Sequence, residues 1–526
     1  MPIIEINDVG NYGLIRDTEG YGIPPEAWTT AENVRVKDGG IERQLGHTQV
    51  FGTPGVAPHF ALPIKSGADA IFWLYTSLTK AYVWDGTNHT NITRQTAAVD
   101  VNYTASNTRD WNGTLLGGVP ILNNGVDVPQ YWSTLNVATK LLALPNWDAN
   151  HRAKVIRSFQ NHLVAFNLTK SGTLYPHLVM WSHPADPGSV PNSWDVTDAT
   201  KDTGQTDLAD VQAGLIRDAM ALRGHMYIYK EGSTWRMSYI GGTFVFDFDS
   251  FLETSGILAE RCVAMTPDGT RHVVATQDDI IVHNGNQTES VLNKRFRRQL
   301  FNQIDTTNFA NSFMWSNPAY NEVGFAYPES GATNPTRALI WNFKEGQMGA
   351  LTERAVNFRN CVTGEIENAS DTTWATVVGS WDDQTLPWSS SQRRRTVALH
   401  TDDTKFALMD EGSTILGTGY TGTIKRENLA IAGRKRNGEW IVDFTTHKVI
   451  RRVWLKMDGA AVSVRIGFQT YPNGSVSWGT VKTFTPGTDR YIDVIGHGVS
   501  MAIEIVGTSF WRLNGYMVEG ELSGQH

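Results

Sequence analysis

Short pairs of strand-like segments recur along most of this chain, and they constrain its fold more than any other feature. Each segment alternates β-branched or aromatic residues with polar ones and ends at Gly, Asn or Asp, a pattern typical of β-hairpins. The first clear pair is AIFWLYT at 70–76 followed by KAYVWDG at 80–86. Later pairs begin at irregular intervals of roughly 40 to 75 residues. This spacing predicts a β-propeller whose blades carry insertions, with a multi-sheet sandwich as the alternative.

Helical periodicity is nearly absent, so we expect an all-β protein. The best candidate for a helix is the segment 290–305, SVLNKRFRRQLFNQID, in which Val291, Phe296, Leu300 and Ile304 are the apolar positions. Glycine accounts for 49 of the 526 residues, and there are 18 Trp, 16 Tyr and 21 Phe. Many turns together with many aromatic residues favour a β-rich fold that contains one short helix.

The two ends of the chain differ from its middle. Residues 1–58 contain Pro24, Pro25 and several glycines, and we predict that they form an extended N-terminal arm or platform segment. Residues 59–438 are predicted to form the propeller with its insertions. Residues 439–526 contain about seven short alternating strands, which is the rhythm of a β-sandwich-like C-terminal domain.

Charge and cysteine content exclude several classes of protein. Lys and Arg number 45 against 53 Asp and Glu, so the formal net charge is −8. That balance fits neither a polybasic nucleic-acid binder nor an acidic disordered tail. The only cysteines, Cys262 and Cys361, cannot form a disulfide framework and are predicted to be small buried residues. The N-terminus carries no signal-peptide pattern, so we expect folding in a cytoplasm.

Motifs for catalysis are missing from the sequence. P-loop, zinc-hydrolase, serine-hydrolase, CxxC and EF-hand signatures do not occur, and no His pair has metal-ligand spacing. Paired acids do occur, but at expected hairpin turns, where carboxylates commonly hydrogen-bond the backbone; they are Asp247 with Asp249, Asp278 with Asp279, Asp382 with Asp383, and Asp402 with Asp403. We therefore predict no catalytic residue, no cofactor and no metal.

One basic cluster is a candidate contact site. Lys294, Arg295, Arg297 and Arg298 lie within five consecutive positions of the candidate helix. Such a cluster can bind phosphate or an acidic partner protein, although in an acidic chain it more often makes intersubunit or solvent contacts.

The N-terminal segment GLIRDTEGYGIPPEAWTTAENVRVKDGGIERQLGH is similar to the start of the tail nozzle proteins of short-tailed bacteriophages, also called packaged-DNA stabilisation or tail hub proteins. The resemblance is carried by a Pro-rich turn, an AxNV strand, a DGG turn and an R-x-x-G closure. Phrases such as YVWDGTNHTNIT, DDIIVHNG and WRLNGYMVEGELSG extend it along most of the chain. The residues that the resemblance marks as candidates for docking are Asn33, Arg35, Asp38, Gly39, Arg43 and Gly46.

The resemblance implies a structural virion protein without an active site. It implies a homohexameric ring below the portal and adaptor proteins, made in the host bacterial cytoplasm, that closes the tail channel to retain packaged DNA and conducts that DNA during ejection. Its further partners would be tail fibres or spikes, double-stranded DNA passing through non-specifically, and the host cell envelope. The N-terminal arm and the terminal sandwich would dock onto neighbours, and deletion of 1–46 should leave a folded propeller.

Two other functions remain open at this point. One is a receptor-binding or polysaccharide-degrading tailspike, since Trp84, Trp132, Trp181 and Trp315 could stack on sugar rings. The other is a cellular propeller that serves as a scaffold for protein partners.

Overall fold

Five short strands precede the first regular sheet. The computed structural model describes residues 3–68, 70–106, 110–212, 214–242, 244–346, 348–367, 392–436 and 438–525. The first strands are β1 (Ile3–Asn7), β2 (Thr30–Glu32), β3 (Val34–Lys37), β4 (Gly40–Arg43) and β5 (His47–Val50), with a 3-10 helix at Gly20–Gly22 between β1 and β2.

Seven antiparallel four-stranded blades then follow one another in the described part of the chain; six are separate sheets, and the sixth blade is the first part of a ten-stranded sheet. Blade 1 contains β6 (Phe60–Lys65), β7 (Ile71–Thr76), β8 (Ala81–Trp84) and β9 (His89–Asn91). Blade 2 contains β12 (Asn112–Leu116), β13 (Val119–Asn123), β14 (Gln130–Tyr131) and β15 (Leu142–Ala143). Blade 3 contains β16 (His151–Phe159), β17 (His162–Lys170), β18 (Thr173–Trp181) and β19 (Gly204–Asp207). A small hairpin between blades 1 and 2 consists of β10 (Gln95–Thr96) and β11 (Val99–Asp100).

The remaining blades follow the same order. Blade 4 contains β20 (Ile216–Leu222), β21 (His225–Lys230), β22 (Thr234–Tyr239) and β23 (Phe246–Leu252). Blade 5 contains β24 (Val263–Met265), β25 (His272–Ala275), β26 (Ile280–His283) and β27 (Thr288–Ser290). Blade 6 contains β28 (Phe313–Asn317), β29 (Glu322–Tyr327), β30 (Arg337–Asn342) and β31 (Ala350–Ala355), and blade 7 begins with β32 (Asn360–Glu367), β33 (Gln392–His400) and β34 (Lys405–Met409).

Turn chemistry that is visible in the sequence forms these hairpins. In the WDG turn of blade 1, the Asp85 carboxylate accepts hydrogen bonds from the N–H groups of Thr87 and Asn88, at 2.9 and 2.7 Å. Gly86 has a φ of 99°, a backbone conformation that side chains disfavour. Such turns reverse the chain tightly because a side-chain oxygen replaces a backbone acceptor.

Apolar residues pack between neighbouring blades and close the ring. Between blades 3 and 4, for example, Phe166 and Trp181 belong to one buried cluster with Ile228 and Met237. The ring closes where the inner strands of blades 7 and 1, β32 and β6, contact each other. The fourth strand of blade 7 is β5, which pairs with β34 and so ties the N-terminal segment into the last blade. The β-propeller predicted from the hairpin spacing is therefore confirmed.

The other strands form a β-sandwich at the outer edge of blade 6. They are β35 (Gly422–Leu429), β38 (Thr446–Gly459), β39 (Val462–Gln469), β40 (Ser477–Trp478), β41 (Lys482–Phe484), β42 (Ile492–Gly498), β43 (Ser500–Gly507) and β44 (Trp511–Gln525). Between β35 and β38, β36 (Ile431–Arg434) and β37 (Trp440–Val442) pair with each other in a separate two-stranded sheet. One sheet has the order β3-β4-β44-β38-β42, with β1 also on β44. The other belongs to a ten-stranded sheet that runs from blade 6 through β2 into β35, β43 and β39.

The sandwich and the propeller are thus joined by a continuous sheet. Strand β2 lies between β31 of blade 6 and β35 of the sandwich, parallel to the first and antiparallel to the second. Within the predicted arm, 1–58, strands β1, β3 and β4 belong to the sandwich and β5 to blade 7. The sandwich includes β35, which begins before the predicted boundary at 439.

The helix expected within 290–305 is present as one short helix, α1 (Arg297–Gln303), followed by a 3-10 helix at Phe309–Asn311. Cys262 and Cys361 are free and buried, as predicted. No helix in the described ranges has both the length and the apolar composition needed to cross a bilayer.

Candidate functional site

The N-terminal segment 13–47 is anchored by a buried arginine. Arg35, on β3, is 1% exposed. Its guanidinium pairs with the Glu322 carboxylate of blade 6 at 2.5 and 3.0 Å, and with Asp410, directly after β34 of blade 7, at 2.7 Å. The Tyr320 ring lies 3.4 Å from the guanidinium carbon. Arg35 therefore fastens the segment to two blades at once.

Further polar groups complete this buried network. The second Asp410 oxygen accepts a hydrogen bond from the Asn317 amide at 2.7 Å, and Arg354 donates to His47 Nε2 at 2.6 Å. Burial opposes the ionised form of Asp410, but the guanidinium groups of Arg35 and Arg354 outweigh burial and lower its pKa to about 2. Burial, reinforced by the charge of Arg354, lowers the pKa of His47 well below its usual range. The network therefore holds an ionised carboxylate and a neutral imidazole in the interior.

Three more of the candidate docking residues face the interior of the chain. Arg43 donates to the carbonyl groups of Ser413 and Tyr420, at 2.9 and 3.0 Å. Asn33 has a φ of 54° and its side chain bridges the backbone of two other segments. A Cβ on Gly46 would lie 2.0 Å from the backbone oxygen of Thr414. These residues, like Arg35, are therefore unavailable to a neighbouring subunit in this fold and instead hold the chain's own segments together.

The remaining two candidates form an exposed turn. The N–H groups of Asp38 and Gly39 donate to the Glu345 carboxylate of blade 6, at 2.9 and 3.3 Å. Both turn residues have a positive φ, 48° and 72°. The Asp38 side chain is exposed, so it is accessible to a partner.

The basic cluster does not form a single surface. Arg295 is 7% exposed and donates to the carbonyl groups of Val291, Met348 and Gly349. Burial lowers the pKa of its guanidinium to about 10. Arg297 pairs with Asp278 at 2.5 Å, whereas Lys294 and Arg298 have exposed side chains. The structure therefore divides the cluster into one interior group, one paired group and two exposed cations.

The N-terminal segment also supplies the cap of helix α1. The Asp17 carboxylate accepts hydrogen bonds from the N–H groups of Arg298 and Gln299, at 2.7 and 3.0 Å. These are among the N–H groups that have no partner inside the helix, so a carboxylate stabilises them. The sequence could not reveal this cap, because Asp17 is 281 residues away from Arg298.

Charged side chains from four blades meet at the propeller axis, a feature that the sequence did not reveal. Lys154, on the inner strand of blade 3, lies 3.5 Å from Asp110 of blade 2 and 3.6 Å from Glu260 of blade 5. Arg217 of blade 4 also reaches Glu260, at 3.6 Å. Because blades 3 and 5 are not neighbours, these side chains extend across the central channel and partly fill it.

The residues that would serve a sugar-binding or metal site have other roles. The four tryptophans of the tailspike hypothesis, Trp84, Trp132, Trp181 and Trp315, are at most 8% exposed and lie in the cores between blades. Asp249 pairs with Arg236 and Asp402 with Arg359, while Asp382 and Asp383 lie outside the described residues. Within the described ranges, no group of three His, Cys, Asp or Glu side chains is placed to hold a metal ion.

Comparison with known proteins gives only distant structural likenesses. No family model and no curated protein matches the chain. A fungal alcohol oxidase in complex with copper is 9% identical, with 88% of this chain and 91% of the oxidase covered and a TM-score of 0.40. PorZ, a surface component of the type-IX secretion system of Porphyromonas gingivalis, is 9% identical, with 86% and 46% covered and a TM-score of 0.34.

An exo-beta-1,3-galactanase from Phanerochaete chrysosporium is 8% identical, with 91% of this chain and 100% of the galactanase covered and a TM-score of 0.29. Likenesses at this distance carry no argument about the activity of this chain.

Proposed function

We propose that this protein is a structural subunit of the tail nozzle of a short-tailed bacteriophage. In this role it closes the lower tail channel to retain packaged DNA and conducts the DNA during ejection. The observation that carries the proposal is that the residues marked in the family-like N-terminal segment stand where this fold needs their particular side chains or backbone angles. Asn33 and Asp38 adopt positive φ angles, Gly46 has no room for a Cβ, and Arg35 and Arg43 make buried contacts.

The mechanical properties of the fold support this role. The ten-stranded sheet joins blade 6 directly to the sandwich through β2, and the buried Arg35 network fastens the N-terminal segment to blades 6 and 7. A wall that retains DNA under pressure needs subunits that keep their shape when loaded. A stiff wedge of this kind can repeat around a symmetry axis to enclose a pore.

In the proposed assembly the DNA passes between subunits and not through one propeller. The charged side chains that meet at the propeller axis, Asp110, Lys154, Arg217 and Glu260, obstruct the channel of the single chain. The wide channel must then lie on the axis of a homohexameric ring. With a net charge of −8, the subunits repel the phosphate backbone and allow the duplex to slide.

The proposal includes partners and a location in the virion. The ring would bind portal or adaptor proteins above it, tail fibres or spikes beside it, and the host cell envelope at infection. The tailspike alternative loses its main support because its four tryptophans are buried. We assign the protein no catalytic step.

The proposal is tested by the composition and DNA content of virions. Mass spectrometry of purified particles should find this chain in stoichiometric amounts, and particles made without it should lose DNA after packaging. Absence of the chain from virions, or full DNA retention without it, would contradict the proposal. Hydrolysis of host surface polysaccharide by the purified chain would favour a tailspike.

A further inference from the structure

A small polar cavity lies between blades 3 and 4. Its volume is about 210 Å³, and its walls include the β16–β17 turn, the β18–β19 loop and the end of β22. The first and third turns of an antiparallel four-stranded blade lie at the same end of that blade, so these segments share one face of the propeller. Pockets for drug-sized ligands measure about 300–1,000 Å³, so this cavity suits a single ring.

A buried histidine supplies one polar atom to the cavity. His162 lines the cavity although it is only 3% exposed. Its Nδ1 lies 2.7 Å from the carbonyl oxygen of Ser182, and because a carbonyl oxygen only accepts, Nδ1 carries the proton. Burial lowers the pKa of the imidazole, so at neutral pH the ring is neutral and Nε2 is an acceptor. Nε2 has no partner in the described part of the chain, which leaves it available to a ligand.

Three exposed polar side chains also line the cavity. The amides of Gln160 and Asn161, in the two-residue turn before β17, make no hydrogen bond to another described residue. Asp202 is positioned by its backbone N–H, which donates to His183 Nδ1 at 3.0 Å, and its carboxylate is 58% exposed. An amide both donates and accepts, whereas a carboxylate and a neutral Nε2 only accept. Acceptors therefore outnumber donors, and the cavity suits a ligand rich in hydroxyl groups.

The Tyr239 ring adds an apolar face. Tyr239 is the last residue of β22, where it pairs with Phe246 of β23, and it is 52% exposed. Its ring centroid lies 6.2 Å from that of His162. A sugar ring carries C–H groups on its face and hydroxyl groups at its edge, so it can pack on an aromatic ring while its hydroxyl groups bind polar side chains. The cavity offers both kinds of partner to one ring.

The charge of the cavity argues against an anionic ligand. Among the described residues that line it, none is Lys or Arg, and the Asp202 carboxylate would repel an anion. Phosphate and carboxylate groups are bound in proteins mainly by cationic side chains and by N–H groups. The cavity also contains none of the four buried tryptophans that the sequence suggested as sugar-stacking residues. A neutral, hydroxyl-rich ring is therefore the ligand that fits its lining.

We propose that this cavity binds one neutral pyranose ring of a saccharide. The ring packs on Tyr239, its hydroxyl groups donate to His162 Nε2 and to the Asp202 carboxylate, and the amides of Gln160 and Asn161 bind the remaining oxygens. The site binds the sugar without making or breaking a bond. It goes beyond the proposed function, because closing a DNA channel needs no sugar; its use, a contact with sugars of the host cell envelope, rests on that function.

Saturation-transfer NMR on the purified full chain at neutral pH tests the site. The probes are glucose, galactose, N-acetylglucosamine and rhamnose, with adenosine monophosphate as an anionic comparison. At least one sugar should receive saturation at its ring C–H protons. Tyr239→Ala should weaken its binding about tenfold, because the stacking face is lost. The matched control is Tyr471→Ala, since Tyr471 is 60% exposed but lies in the sandwich; this variant should bind like wild type.

Two further variants test the polar contacts. Asp202→Asn alters an exposed side chain and should weaken sugar binding without moving the urea midpoint, whereas Asp247→Asn, exposed on β23 outside the cavity, should leave binding unchanged. His162→Phe removes the buried acceptor and should also weaken binding; if this variant is unstable, Asp202→Asn remains the readout. The proposal is overturned if no sugar binds, if Tyr239→Ala binds as well as Tyr471→Ala, or if adenosine monophosphate binds in preference to every sugar.

These results can be separated from the outcome for the proposed function. A chain that is present in virions but binds none of the sugars refutes this site and leaves the nozzle proposal standing. A chain that binds a sugar through Tyr239 but is absent from virions refutes the nozzle proposal and leaves the site standing.

Discussion

Removing the buried arginine of the N-terminal segment should destabilise the whole protein. In Arg35→Leu, the carboxylates of Glu322 and Asp410 lose their shared partner, although their side chains are only 3% and 1% exposed. Breaking a buried ion pair by removing one partner costs about 3–5 kcal/mol, because an uncompensated charge is left behind. The matched control is Arg451→Leu, whose pair with Glu521 is exposed and should contribute less than about 1 kcal/mol.

Urea unfolding followed by tryptophan fluorescence measures both variants at neutral pH. The Arg35→Leu transition should move to a clearly lower urea concentration, whereas Arg451→Leu should unfold close to wild type. Equal losses in the two variants would refute the claim that this network anchors the segment.

A second readout tests the electrostatic reason for the loss. Arg35 and Arg354 lower the pKa of Asp410 to about 2 against the effect of burial. In Arg35→Leu that pKa rises, so the carboxylate can take up a proton and lose its buried charge as the pH falls. The stability difference between variant and wild type should therefore narrow as the pH is lowered from neutrality toward the raised pKa of Asp410. A difference that is constant with pH would indicate lost packing alone.

The same network changes our expectation for truncation. From the sequence we predicted that deletion of 1–46 leaves a folded propeller. The deletion removes Arg35 and Arg43 and also β2, which joins blade 6 to the sandwich. It should therefore yield an unstable or insoluble chain, and a deletion variant that unfolds at the wild-type urea concentration would contradict this.

Three further predictions concern polar side chains. Tyr229→Phe removes a hydroxyl that lies 2.8 Å from both His272 Nδ1 and His283 Nε2. This change should lower the free energy of unfolding, measured by urea titration, by about 1–3 kcal/mol. The control Tyr471→Phe, at an exposed ring, should leave that free energy unchanged. Asp17→Ala removes the cap of helix α1 and should cost about 1 kcal/mol in the same assay; an unchanged midpoint would contradict the capping role. Burial lowers the pKa of His272 to about 4 and that of His283 to about 3, so the unfolded chain binds more protons than the folded chain at mildly acidic pH. The free energy of unfolding should therefore decline as the pH falls below about 6.5. A urea midpoint that does not change between neutral and mildly acidic pH would refute this.

The propeller was predictable from the sequence because its signals are local. Turns such as the one at Asp85 and Gly86 depend on residues only two or three positions apart. The alternation of apolar residues along each strand is equally local, since it only needs one face of the strand to be buried. The number of blades was not predictable, because the strand that completes blade 7 is β5, more than three hundred residues before its partner β34.

The candidate site was less accessible to sequence reasoning. The N-terminal pattern marked Asn33, Arg35 and Gly46 as docking residues, but it could not tell an interior anchor from a docking surface. That distinction depends on Glu322 and Asp410, acids that come close to Arg35 only in the folded chain. The charged groups at the propeller axis were missed for the same reason, as they come from four different blades.

Imaging of the phage tail tests the central claim most directly. Particles assembled without this chain would be examined by cryo-electron microscopy before and after the purified protein is added back. If the protein is the nozzle subunit, the added protein should appear as a six-fold density that closes the lower tail channel, with DNA retained above it. Density that projects sideways as spikes, or no added density at all, would contradict the account.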